Sequence, residues 1–230
     1  MSHYYISRCG KLSHYGNYAV LYQFRSQFTY LKLKLDPKIG ELIMSEVEAI
    51  KSKDDIAAIS ALLLKHSGRL YQDIFKIGIN VAFRISDLLS IKMYEIDLDR
   101  RELTIKEGKT GKSRTVRLNE TAFSIIKRRM KDHPDDMYLF QPHNYRGRVY
   151  TNKPVDRSTV VRKFKIVGDI LNIRLGTHSM RKTRGYMMHQ AGVSIEQIAR
   201  VLNHSSPAVT MRYIGLTHEQ TLKTYDDFQL

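Results

Sequence analysis

One short hairpin pattern stands in a chain otherwise punctuated for helices, and that contrast restricts the fold more than any other feature. Glu102 to Glu107 and Arg114 to Leu118 alternate in part between apolar and polar residues, and Gly108-Lys109-Thr110-Gly111-Lys112 joins them with two lysines at the tip. Around the hairpin lie helix signals. Asp36-Pro37 sets a cap before a first-turn proline, and Ile39, Leu42, Ile43, Val47 and Ile50 follow at helical spacing. Asp54 to His66 predicts a second helix closed by Gly68, Arg69 to Val81 a third, and Ser86 the cap of the next. Asn119 opens a helix to about Lys131, Asp132 to Pro154 reads as a polar, mobile loop, and Asp156 to Asn172 is helical again. Beyond Thr177 come helices at His178 to Gln190, at Ser194 to Leu202, after Ser206-Pro207, and from Thr217 onward. The expected fold is mainly α with a small antiparallel β-sheet, an α+β class without internal repeats.

A chain of 230 residues buries enough surface to need no covalent staples. Its single cysteine, Cys9, excludes an intramolecular disulfide framework and a thiolate metal cluster. Apolar runs fall short of a membrane span and the first ten residues lack a secretory pattern, so the expected location is cytoplasmic, with no membrane partner. A net charge of +15 favours a polyanion, most simply nucleic acid. The segment Tyr4 to Leu35 interleaves Tyr and Phe with Arg and Lys, which suits extended strands. Residues 1–45 therefore read as an aromatic and basic arm or small appendage, and 46–230 as the main domain with a C-terminal helix at 217–230.

Near the C-terminus the chain holds His178-Ser179-Met180-Arg181, then Asn203-His204, then Tyr213. On a helix His178 and Arg181 face the same way, so one phosphate could receive an imidazole and a guanidinium together. Arginine suits two nonbridging phosphate oxygens because its fork donates parallel hydrogen bonds and never loses its charge. Tyr213, with an ordinary phenol pKa of about 10, needs a base before it can attack phosphorus, and the departing oxygen needs an acid. Singly, each of these residues would be surface charge or packing; their joint occurrence is what carries chemical weight.

The order and local wording of Arg84 in Phe83-Arg84-Ile85-Ser86-Asp87, Lys109 in the hairpin tip, His178-x-x-Arg181, Leu202-Asn203-His204 and Tyr213 strongly resemble the catalytic domain of the tyrosine recombinases, also called the phage integrase family. The resemblance runs from about Asp54 to Tyr225 and implies that family's catalytic-domain fold. It implies a site-specific recombinase that cleaves and rejoins double-stranded DNA through a 3′-phosphotyrosine intermediate. Arg84 and Arg181 would then hold the phosphate, His178 would act as base or relay, Lys109 as general acid and His204 as a further donor, with Asp87 orienting Arg84. Lys112 shares the turn with Lys109, and a shift of register would exchange the two; Lys109 is preferred. Lys112, Arg114 and Lys182 are candidates for DNA contacts.

No cofactor and no catalytic metal are expected, since the phosphotyrosine bond keeps the energy needed for rejoining. His133 and His143, considered with Asp132, read as loop residues rather than metal ligands. Asn203 stands where many members have glycine, and Lys182 where many have histidine. The first 45 residues are too few for the helical DNA-clamping domain of full-length members, so the chain looks similar to short members such as the fimbrial phase-switch invertases. That resemblance implies assembly as a homo-oligomer, a tetramer on paired sites, with accessory DNA-bending proteins and a nucleoid location. Two other readings remain: a nicking and closing enzyme resembling type IB topoisomerases, and a non-catalytic DNA-binding accessory protein that keeps the fold.

Overall fold

The computed structural model describes residues 47–109, 111–143 and 152–215, all within one compact unit that begins at Val47. The aromatic arm, the start of the helix expected at Asp36-Pro37 and the helix expected from Thr217 lie outside the described residues. Described elements are α1 (Lys53–Ser67), α2 (Arg69–Val81), α3 (Ile85–Leu89), a 3-10 turn (Met93–Glu95), β1 (Ile96–Asp97), β2 (Glu102–Lys106), β3 (Ser113–Arg117), α4 (Glu120–Asp132), α5 (Arg157–Leu171), α6 (Thr177–Gln190), α7 (Ile195–Leu202) and α8 (Pro207–Ile214). No helix among the described residues is long and apolar enough to cross a membrane.

Side chains at the predicted boundaries explain most of these limits. Ser52, Asn119, Asp156, Ser194 and Ser206 each accept a backbone N–H of the first helical turn, and Pro207 occupies the opening position of α8. Two expectations are corrected. Residues 47–52 are not helical; Ile50 N–H donates to Thr183 Oγ1 at 2.8 Å, which holds this strand-like entry against α6. Ser86 lies inside α3, and Arg84 is the cap residue that precedes it.

The hairpin is present, with Leu103 opposite Val116 and Ile105 opposite Arg114, and β1 extends it to three antiparallel strands in the order β1-β2-β3. At two residues, β1 is too short to display an alternating pattern. Leu103 and Ile105 are buried while Glu102, Thr104 and Lys106 face outward or partly outward, so one face of β2 belongs to the core.

The core is built on α2, which buries Ile74, Phe75, Ile77 and Val81. Phe75 meets Phe164 of α5 edge-on at 5.9 Å. Two glycines set the approach of the helices that carry the site. A Cβ on Gly78 would lie 2.3 Å from Met180 Sδ, and one on Gly185 would lie 2.7 Å from Ile214 Cγ2, so α6 seats tightly on α2 and α8 tightly on α6.

The stretch after α4 departs from the polar loop expected there. Asp136, Leu139, Phe140 and Gln141 are buried, Leu139 N–H donates to Ile91 O at 2.9 Å, and Val155 N–H to Phe140 O at 2.9 Å. Its surrounding Pro, Asp and Asn residues disguised a short apolar anchor. Beneath it, Asp73 accepts from Arg128 at 2.6 and 2.7 Å and from Arg129 at 3.3 Å, while Arg129 Nε donates to Leu139 O at 2.7 Å. Removing one member of so buried a triad strands the others, and Asp73→Ala is expected to cost about 3 kcal/mol, visible as a lower urea midpoint.

Candidate active site

Four helix ends converge where α2 stops. Ala82 closes α2 in the left-handed region at φ 53, and its carbonyl accepts Nη1 of Arg181. Nη2 of the same guanidinium donates to the carbonyl of Leu202, the last residue of α7. Arg181 is 2% exposed, so its own fork ties α2 and α7 to α6, and its positive charge acts on the Tyr213 phenol. These contacts orient the guanidinium before any ligand arrives.

Tyr213 sits on α8, fixed by the Ser206 cap and packed beside Ile198 and Leu202. His178 Nδ1 lies 3.2 Å from its hydroxyl, and the ring of His204 meets the tyrosine ring edge-on at 4.8 Å. Burial pushes the phenol above its usual 10, against the pull of Arg181 and Arg84, so at neutral pH the proton is still in place. Loss of water around His178, then the positive charges of Arg181, Arg157, Lys182 and Arg84, lowers that imidazole below its ordinary value. A neutral ring beside a protonated phenol is the combination a base requires.

His204 follows Asn203 and holds Thr210 Oγ1 at 3.0 Å through Nδ1. Burial, then Arg181 and Arg84, brings its pKa from 6.5 down to about 4. A phosphate between the two arginines would cancel their part of that shift. DNA binding is therefore expected to raise the His204 pKa above about 4, taking up a proton and strengthening as pH falls through that raised value toward about 4. NMR titration of the His204 ring with and without a DNA duplex checks this; an unchanged titration would remove His204 from the phosphate's neighbourhood.

Glu107 was not among the residues singled out from sequence. Its carboxylate is 1% exposed and accepts from Arg84 Nη1 at 2.9 Å, Arg114 Nη1 at 3.2 Å and Asn203 Nδ2. The signal was present in the alternation, because Glu107, one residue past β2, continues the buried sequence of Leu103 and Ile105. Arg84 also lies 3.9 Å from the buried Asp87, whose other oxygen accepts Gly108 N–H at 3.1 Å and so pins the hairpin turn beside Arg84. Lys109 is solvent-exposed at the tip of that turn, and Lys112 is exposed at the base of β3. Arg84, His178, Arg181, His204 and Tyr213 are thus gathered, while Lys109 stands on the turn that Asp87 holds.

Two of the three candidates for DNA contact have other surroundings. Arg114 stacks on Phe83 at 4.9 Å and donates to Val201 O besides pairing with Glu107. Lys182 is 8% exposed, with its ammonium 5.5 Å from the Tyr213 ring centre. Asn203 replaces glycine at a left-handed helix end, φ 49, which asparagine tolerates, and its amide gains the bond to Glu107. Glu107→Gln would leave Arg84 and Arg114 facing a neutral amide. Strand cleavage is expected to fall on the order of tenfold through a displaced Arg84, measured in single-turnover assays against an unchanged DNA affinity.

Residues 46–220 match the phage integrase family. The chain belongs to that family. It is 34% identical over 186 residues to the probable integrase/recombinase YoeC of Bacillus subtilis (strain 168), covering 80% of this chain and 98% of YoeC. Other curated relatives are longer: the chain spans 53% of a probable integrase/recombinase from Acholeplasma phage L2 and 46% of the tyrosine recombinase XerA of Pyrococcus furiosus. Among solved structures, a XerA recombinase superposes with a TM-score of 0.60 at 22% identity, over 79% of this chain and 65% of that one. The Tn1549 transposon integrase, in complex with a circular intermediate DNA, gives 0.59 at 15% identity, over 80% and 66%. The mainly helical fold with its three-stranded sheet is that of a tyrosine recombinase catalytic domain, and the enzyme class that membership gives is tyrosine-type site-specific recombinase.

Proposed function

We propose that this phage integrase family member breaks and rejoins double-stranded DNA through Tyr213. The observation that carries the reading is one hydroxyl 3.2 Å from His178 Nδ1 and under the charges of Arg181 and Arg84, with Arg84 held by Glu107 on the same site. In the forward step the Tyr213 oxygen attacks the scissile phosphorus and its proton passes to His178. The bond from phosphorus to the 5′ oxygen breaks, and that oxygen leaves as a hydroxyl, taking a proton from Lys109. Arg84, Arg181 and His204 hold the charge that grows on the nonbridging oxygens. The 5′ hydroxyl of a second strand reverses the sequence, so rejoining needs neither ATP nor a metal at this site. Lys112 reaches the DNA backbone from the turn.

Several protomers acting on paired sites, with DNA-bending helpers at the nucleoid, complete this reading, because avidity across paired sites strengthens binding beyond that of one protomer. The test is covalent trapping on nicked duplexes tiled across DNA flanking the native gene, run on denaturing gels. An adduct establishes tyrosyl transfer; specific binding without any adduct would favour an accessory DNA-binding role. Recombinant junctions between two sites, rather than relaxed circles alone, separate recombination from nicking and closing.

A further inference from the structure

We propose that His133, Asp136 and His143 form a binding site for a divalent transition-metal ion of the zinc class, separate in its residues from the strand-cleaving site. The local sequence builds it. His133 ends α4, its N–H donating to Arg129 O at 2.9 Å, and Asp136 N–H returns to His133 O at 3.2 Å, closing a turn with Pro134 in its second position. Pro134 presets that turn, so His133 and Asp136 stand at its two ends by construction. The buried Leu139 and Phe140, tied to Ile91 and Val155, then bring His143 back over them.

The result is a compact donor set. The rings of His133 and His143 stack at 4.2 Å with 19° between their planes, and His143 Nε2 lies 2.8 Å from Asp136 Oδ2. One ligand atom from each of the three residues falls within 4.8 Å of the others. Tetrahedral zinc bonds of about 2.0–2.2 Å separate ligand pairs by about 3.4 Å, so closure needs little more than a rotation of the two imidazoles. Two imidazoles and one carboxylate are borderline donors that favour zinc, cobalt or nickel over magnesium or calcium.

Beside the set opens a pocket of about 300 Å³, lined in part by His133, His143, Gln141 and Asp132. Gln141 is 1% exposed, and its amide nitrogen is buried without a hydrogen-bond partner. The nearby cations Arg128 and Arg129 are already engaged by Asp73, which limits their repulsion of an ion. A bound ion would tie the end of α4 to residues 141–143.

The full chain, stripped with EDTA and dialysed, tests this by calorimetric titration with ZnCl2 and by the visible absorption of added Co²⁺. One equivalent per chain is expected, with a zinc-dependent rise in Tm. His133→Gln and His143→Gln should each weaken binding on the order of 100-fold and abolish the Tm rise. Far-UV circular dichroism of the metal-free proteins confirms that both variants fold. Zinc taken up equally by wild type and both variants, or by none of them, would overturn the site. DNA cleavage by the wild type should persist in EDTA, because the cleaving residues are a different set.

Discussion

Tyr213→Phe is expected to abolish covalent attachment to DNA completely while leaving DNA affinity within about threefold of wild type. The substitution deletes the single oxygen held by His178 at 3.2 Å and leaves the ring that packs against His204 and the apolar end of α7. Among the described residues no other hydroxyl is hydrogen-bonded to His178, so the loss is expected to be absolute rather than graded. The fold should be preserved, because the helix cap at Ser206, the buried Ile214 and the Gly185 contact do not involve the hydroxyl. Denaturing gels on nicked duplexes give the adduct yield, and gel shifts on the same duplexes give binding. An adduct of undiminished yield in the variant would remove Tyr213 from the reaction.

Arg181→Lys carries the second large effect, although it conserves charge. Arg181 donates to the carbonyls of Ala82 and Leu202, and one ammonium cannot reach two acceptors set on separate nitrogens of a planar fork. Two consequences separate experimentally. Buried carbonyls left without donors cost about 1–3 kcal/mol each, which lowers the urea midpoint. On the proposed mechanism the substitution also weakens the hold on the phosphate as the bond breaks, and is expected to slow single-turnover cleavage by about 10³-fold or more. Cleavage at the wild-type rate by the folded fraction would leave Arg181 a purely structural tie.

The two variants also distinguish roles within one cluster. Tyr213→Phe is expected to remove chemistry without stability and Arg181→Lys to lower both, since the guanidinium is a strut between helix ends and, on the proposed mechanism, also holds the phosphate. Glu107→Gln stands between them, acting on phosphate only through Arg84. That gradation follows from burial: Tyr213 is partly exposed, while Arg181 and Glu107 are almost fully enclosed.

Much of the fold was legible because its signals are local. Ser194, Ser206 and Asp156 cap helices within three residues of themselves, and Arg69–Val81 carries its apolar stripe inside one segment. Ser86 misled, because a serine near a helix start resembles a cap wherever the chain turns, and the turn here falls two residues earlier. Leu139 and Phe140 were hidden because a window dominated by Pro, Asp and Asn masks two apolar residues whose partners, Ile91 and Val155, lie far off in sequence.

For the site, the amino-acid sequence by itself determined which side chains are available: a phenol, imidazoles and two arginines, in an order that resembles the family the chain belongs to. Only the tertiary structure decided their environments. It joined Arg181 to Ala82 and Leu202, put Glu107 beneath Arg84, took Arg114 into the interior, and drew His204 down to about 4. The physical reason is that composition and spacing act within a few residues. Burial and the field of opposed charges arise only when segments 20 to 100 residues apart are packed together.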